Sequence, residues 1–147
     1  MAGLRPRDAK QLIGVMPENL GLFEDLTIEE HLQLTADIYG APRERIDRLL
    51  RVLSIDKGRK TYARECSHGM RKKTSFAMAL LHNPRVLLLD EPFEAVDPVS
   101  GRMMFELLRD AAAQGVTVFL TSHILSIVER LAHRTALIRG ASSSTTT

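Results

Sequence analysis

The run Val86-Leu87-Leu88-Leu89-Asp90-Glu91-Pro92 places two adjacent carboxylates directly after four apolar residues. Such a run reads as a buried strand of a parallel sheet, which delivers its last residues to the carboxyl edge where α/β proteins bind ligands. One carboxylate there can hold a magnesium ion while the other takes a proton from water. Neighbouring carboxylates repel, so a metal is a natural neutraliser. Thr121-Ser122-His123 ends a second apolar run, Val116–Leu120, in the same way. An imidazole at the same sheet edge as Asp90 and Glu91 is well placed for catalysis.

A different chemistry is suggested at Ser67-His68-Gly69. A helix is expected to begin near Ser67, whose hydroxyl suits a cap, and Gly69 lets another group approach bare backbone N–H groups. Arg71, Lys72 and Lys73 crowd what reads as the first turn, against the helix dipole, where each charge costs about 0.3–1 kcal/mol. A bound phosphate would reverse that penalty. The same residues also fit a plain capped helix whose cations stay in water. Asp97-Pro98 reads first as a cap and first-turn proline of a later helix. No G-x-x-x-x-G-K-[ST] phosphate loop occurs in the chain; the nearest approach is Gly58-Arg59-Lys60-Thr61.

Positioning these residues takes an alternation of strands and helices. Leu12–Met16 reads as a short strand stopped by Pro17. Thr27-Ile28-Glu29-Glu30 forms a capping box, opening a helix with Ile28, Leu32, Ala36 and Tyr39 on one face and Gly40 at its end. Pro42 suits the first position of a second helix, with Ile46, Leu49, Leu50 and Leu53 inward. A third helix is expected from Ser67 to Asn83, with Met70, Ala77, Leu80 and Leu81 inward. A fourth follows Asp97 and is apolar at Met103, Met104, Leu107, Leu108 and Ala111. A last helix over 124–132 and a strand at Thr135–Ile138 complete the series. The pattern predicts an α/β fold with a parallel sheet covered on both faces. The tail Ala141–Thr147 is low in complexity and is expected to be disordered.

At 147 residues, 44% hydrophobic and 26% charged, the chain corresponds to about one domain of ordinary globular composition. A formal charge of +2 is too small to argue for nucleic acid or an anionic membrane. The single cysteine, Cys66, rules out an internal disulfide. No apolar run approaches the roughly 20 residues that span a bilayer, so a membrane role is expected to come through a partner chain.

Taken in order, the motifs resemble the ATP-binding subunit of ATP-binding-cassette (ABC) transporters, especially bacterial exporter-type subunits, over residues 3–140. The resemblance implies a P-loop NTPase-like parallel sheet with a small helical subdomain at about 27–83. It also implies ATP and Mg2+ as cofactors, and a transmembrane permease and a second ATP-binding subunit as partners. By the same resemblance Asp90 helps hold magnesium and Glu91 is the general base for the attacking water. His123 is the switch histidine at the γ-phosphate, and Asp97 the D-loop aspartate. Ser67, His68 and Gly69 form the signature that meets ATP held by the opposing subunit. Glu18, after the first strand, occupies the position of the Q-loop glutamine near the magnesium site.

Several residues depart from the family pattern. Glu18 replaces the glutamine and, when ionised, cannot donate a hydrogen bond. Cys66, His68 and Met70 differ from the commonest Leu-Ser-Gly-Gly-Gln signature. The family's phosphate loop and its strand are missing, which implies a subunit truncated at both ends that hydrolyses no ATP alone. The expected strand order is Leu12–Met16, Val86–Leu89, Val116–Leu120, with either a gap or Thr135–Ile138 beside the last. The resulting domain should be marginal and located at the cytoplasmic face of a membrane through its permease. Two other readings are a non-catalytic fragment that lends its signature helix to a full-length subunit, and a soluble non-transport ABC ATPase. The short helical unit between Thr27 and Leu53, without a coiled-coil insertion, disfavours the DNA-repair type of the latter.

Overall fold

In the computed structural model, residues 3, 5–131, 135–139 and 142–146 are described. Three short strands, β1 (Ile13–Met16), β2 (Val86–Asp90) and β3 (Thr117–Thr121), form a parallel sheet in the order β1-β2-β3. The register pairs Met16 with Leu89, Leu89 with Leu120, and Asp90 with Thr121. All three strands therefore end at one edge, as the sequence pattern requires.

The helices are α1 (Pro6–Gln11), α2 (Ile28–Tyr39), α3 (Glu44–Val52), α4 (His68–Leu80), α5 (Pro98–Ala113) and α6 (Leu125–Leu131). The capping box of α2 is formed in full. Glu30 N–H donates to Thr27 Oγ1 at 3.2 Å, and Thr27 N–H donates to Glu30 Oε2 at 2.7 Å. Gly40 closes α2 at φ 68°, a left-handed conformation that glycine adopts without a Cβ penalty. Pro42 lies two residues before α3 rather than inside it, and the Arg45 N–H donates to the Pro42 carbonyl at 3.2 Å at the helix entry. Asp97 caps α5 by accepting from Ser100 N–H at 2.9 Å, with Pro98 in the first turn. The helix α1 is not evident from periodicity; it has six residues, with Pro6 at its start and none of them buried.

α4 is the central helix. Gly14 of β1 lies against it so closely that a Cβ there would sit 2.1 Å from the Ala79 carbonyl oxygen. α2 packs on α4, and Ile28, Leu32 and Ala36 of α2 share one core with Ile46, Leu49 and Leu50 of α3 and with Phe76, Ala77, Leu87 and Leu89. Arg45 of α3 donates to the Leu81 and Leu80 carbonyls at 2.6 and 3.1 Å, satisfying the last turn of α4. Met104 and Leu108 of α5 join the same core.

The sheet is not covered on both faces among the described residues. Val15, Leu88 and Phe119 point away from α4 and are 52%, 40% and 59% exposed. An apolar run at the centre of a strand identifies a buried strand but does not say how many of its faces are packed. β3 pairs only with β2 among the described residues. Strand β4 (Thr135–Arg139) does not join β3 but pairs antiparallel with β5 (Ser142–Thr146). Strand β5 lies within the stretch 141–147 that the sequence pattern leaves without an ordered element. Residues 132–134, 140, 141 and 147, which include the expected last residue of the final helix, lie outside the described residues.

Candidate functional site at the carboxyl edge and the α4 start

The three strands deliver Glu18, the Asp90–Glu91 pair and Thr121–His123 to one edge. Thr121 bridges the two acidic residues: its hydroxyl donates to Asp90 Oδ1 at 2.5 Å and accepts from Glu91 N–H at 3.0 Å. Glu91 adopts φ 45°, in the left-handed region that is strained for a residue with a Cβ. Its carboxylate turns toward the loop after β3, where His123 Nδ1 lies 3.1 Å from Oε2. Apart from this contact, Oε2 is buried without a hydrogen bond among the described residues. His123 is itself 65% exposed in its side chain.

Glu18 is exposed on the turn after β1. Among the described residues, no three His, Cys, Asp or Glu side chains cluster as a preformed metal cage. The donor set nevertheless fits magnesium, which binds through one or two carboxylates and takes its other ligands from water and phosphate. A cleft of about 440 Å3 runs from the bare face of the sheet, at Val15, Leu88 and Phe119, up to Asp90 and Thr121.

At the other end of the candidate machinery, Ser67 caps α4 by accepting from Met70 N–H at 3.2 Å. Ser67 and His68 are exposed. A Cβ at Gly69 would meet nothing within 4 Å, so local packing does not require glycine there. The basic trio, however, does not surround this helix start. Because α4 begins at His68, Arg71, Lys72 and Lys73 fall in its second turn, and each has an internal partner. Arg71 forks onto Glu24 at 2.7 and 3.1 Å and donates to the Ala63 carbonyl at 2.7 Å. Lys72 donates to the Glu91 carbonyl, and Lys73 to Ser100 Oγ at 3.2 Å. Both lysines are buried. The electrostatic argument for phosphate at this helix therefore does not rest on them; Ser67, His68 and Gly69 remain.

Asp97 is exposed and occupied by its capping role. Hydrogen bonds from the Ser100 side chain and backbone hold its carboxyl below the usual range. Sequence reasoning missed two residues of the site. Thr121 has no distinguishing spacing and gains its role from the strand register. Lys72 was grouped with exposed cations, and only its burial against the Glu91 turn separates it.

A parallel sheet whose strands end at one edge, with a small helical unit beside it, has the architecture of a P-loop NTPase-like domain. The comparisons give the family. Residues 4–94 match the family described as ABC transporter. The chain is 36% identical over 138 residues to the Nod factor export ATP-binding protein I of Burkholderia pseudomallei, covering 91% of this chain and 45% of that protein. It is 38% identical over 141 residues to an uncharacterized ABC transporter ATP-binding protein of Nostoc sp., covering 92% and 42%. A solved ATP binding subunit of an ABC transporter superposes with a TM-score of 0.84 at 28% identity, over 95% of this chain and 61% of that one. The fold is shared with a dimeric ATP-binding cassette bound to ADP and Pi, with a TM-score of 0.79 at 20% identity, over 97% and 68%. The chain belongs to the ABC transporter family, as part or all of an ATP-binding domain. It spans less than half the length of these curated relatives.

Proposed function

We propose that this chain acts in the ATP-binding, ATP-hydrolysing component of an ABC transporter, working with a membrane permease and a second ATP-binding subunit. The observation that supports it best is the carboxyl edge itself, where a strained Glu91 presents a buried, unbonded carboxylate oxygen beside His123, with Asp90 held by Thr121. In this reading Asp90 and Glu18 supply carboxylate oxygens to Mg2+. Glu91 Oε2 accepts the proton of the attacking water, and His123 donates from its ring to the phosphate oxygens. Bound ATP supplies the phosphoryl group, with Mg2+ neutralising its oxygens. Ser67, His68 and the open backbone at Gly69 meet the ATP of the opposing subunit, and Asp97 faces the same junction. No helix among the described residues is long and apolar enough to cross a membrane; the permease provides the attachment, on the cytoplasmic side.

The two halves of this machinery differ in what they need. Glu91 can activate water only if a phosphate is held in front of it, and these 147 residues contain no phosphate-loop motif. The signature end needs only a partner that already holds ATP. Taken by themselves, these 147 residues can serve ATP only in trans, by lending the start of α4 to that partner. Analytical ultracentrifugation of the chain with a full-length ABC ATP-binding partner tests this. Association should require ATP and weaken on Ser67→Arg, which blocks the approach of phosphate. Association that is absent, or equal with and without ATP, overturns the in-trans role.

A further inference from the structure

Lys72 poses a physical problem. It is 3% exposed on a helix whose neighbouring buried positions include Phe76 and Ala77, yet it carries an ammonium group. Burying a cation is unfavourable unless it is well bonded, and an apolar side chain of similar volume would normally serve as well. Its only carboxylate within 4 Å among the described residues, Glu94, stands 3.9 Å away and is 56% exposed in its side chain, too solvated to hold it firmly. The ammonium instead meets the main-chain carbonyl of Glu91, which otherwise accepts only the longer 3.3 Å bond from the Glu94 N–H of its own turn among the described residues. On the opposite side of the same residue, the Glu91 N–H donates to Thr121 Oγ1. Both backbone polar groups of Glu91 are thus pinned from different elements, α4 and β3. Between the two pins lies the left-handed φ of 45°. A strained backbone of this kind persists only where its surroundings over-determine it.

We infer that Lys72 is a positioning residue for Glu91: by holding the Glu91 carbonyl it fixes the turn that aims the Glu91 carboxylate at His123. Lys73, one residue on, offers the contrast, since its ammonium reaches Ser100 Oγ and ties α4 to α5 without touching the edge. Lys72 is a hydrogen-bonding clamp on the main chain. Its significance for catalysis rests on the reading of Glu91 as proton acceptor, but the clamp itself can be tested without ATP.

The experiment compares the full chain with Lys72→Met, Lys72→Arg and Glu94→Gln by NMR and amide hydrogen exchange. Lys72→Met fills the same space without a donor. It should speed exchange of the Glu91 and Glu94 amides by about tenfold or more, while core amides such as Leu32 keep their protection. It should also abolish the nuclear Overhauser contacts between the His123 ring and the Glu91 side chain. Lys72→Arg should restore both, and Glu94→Gln should leave both unchanged. The inference is overturned if the Glu91–His123 contacts survive in Lys72→Met. It is equally overturned if exchange rises uniformly across the core, or if Glu94→Gln has the larger effect. None of these outcomes depends on ATP binding, so a failed clamp and a failed ATP reading are separable.

Discussion

Two groups of threonine, glutamate and histidine occur in this chain and are used in opposite ways. At the start of α2, Thr27 and Glu30 satisfy each other's backbone N–H groups, and His31 has both ring nitrogens engaged. Its Nε2 accepts from the Phe23 N–H at 2.8 Å, and Nδ1 lies 2.7 Å from the Thr27 carbonyl. His31 is 1% exposed. At the carboxyl edge, Thr121 bridges Asp90 and the Glu91 N–H, Glu91 is strained with a buried carboxylate oxygen unbonded, and His123 is exposed. The first group spends its polar chemistry on the fold. The second leaves proton-accepting capacity unused, and that difference separates scaffold from site without any reference to family.

The contrast can be broken hardest at the base of the scaffold. Gly14→Ala would drive a Cβ into the Ala79 carbonyl oxygen and to 2.8 Å from Leu87 Cδ2. The backbone of β1 must then leave α4, so urea unfolding should show a loss of about 3 kcal/mol or more. A change near zero would mean that the β1–α4 contact is not a tight one.

The paired histidines sharpen it further. His31→Ala removes the acceptor of the Phe23 N–H and empties the space of a fully buried ring, although the Thr27 carbonyl keeps the residue-31 backbone N–H, and should cost about 2–3 kcal/mol. His123→Ala, on an exposed loop, should stay within about 0.5 kcal/mol. Equal costs by chemical denaturation would remove the distinction between the two groups.

The smallest expected effect concerns pH. His82 stacks on Tyr39 with ring centroids 3.9 Å apart, and its Nε2 lies 3.0 Å from the Ile13 carbonyl. Burial pushes its pKa below the ordinary 6.5, partly opposed by the Ile13 hydrogen bond, with Arg45 adding to the fall. The folded state therefore prefers the neutral ring. This contribution is fully present above pH 6.5 and is lost as pH falls through the lower folded value. Stability measured between about pH 7.5 and 5.5 should decline on acidification, and less so in His82→Phe. An identical slope in the variant would assign the decline to other groups.

Local patterns made much of this legible. The capping box, the Asp97-Pro98 entry and the apolar runs ending in Asp90-Glu91 and Ser122-His123 each depend on neighbours a few residues apart, and the structure keeps them. What was not legible depends on tertiary packing. Arg71, Lys72 and Lys73 look like a solvent or phosphate face until α4 proves to be enclosed by β1, α2 and the Glu91 turn. Leu88 reads as doubly buried, although the face it shares with Val15 and Phe119 is bare among the described residues. The role of Thr121 follows from its register opposite Asp90, which no spacing within one segment can express.

The central claim is that, in these 147 residues taken by themselves, the signature end can serve ATP held by a partner, while the carboxyl edge needs a phosphate loop from outside them to hold it. Equilibrium binding of MgATP to the purified chain, alone and with a full-length ABC ATP-binding partner, tests that claim most directly. The account predicts no saturable binding and no turnover by the chain alone. With the partner it predicts additional ATP held in a complex that Ser67→Arg disrupts. Saturable binding by the chain alone, with turnover that disappears in Glu91→Gln, would contradict it.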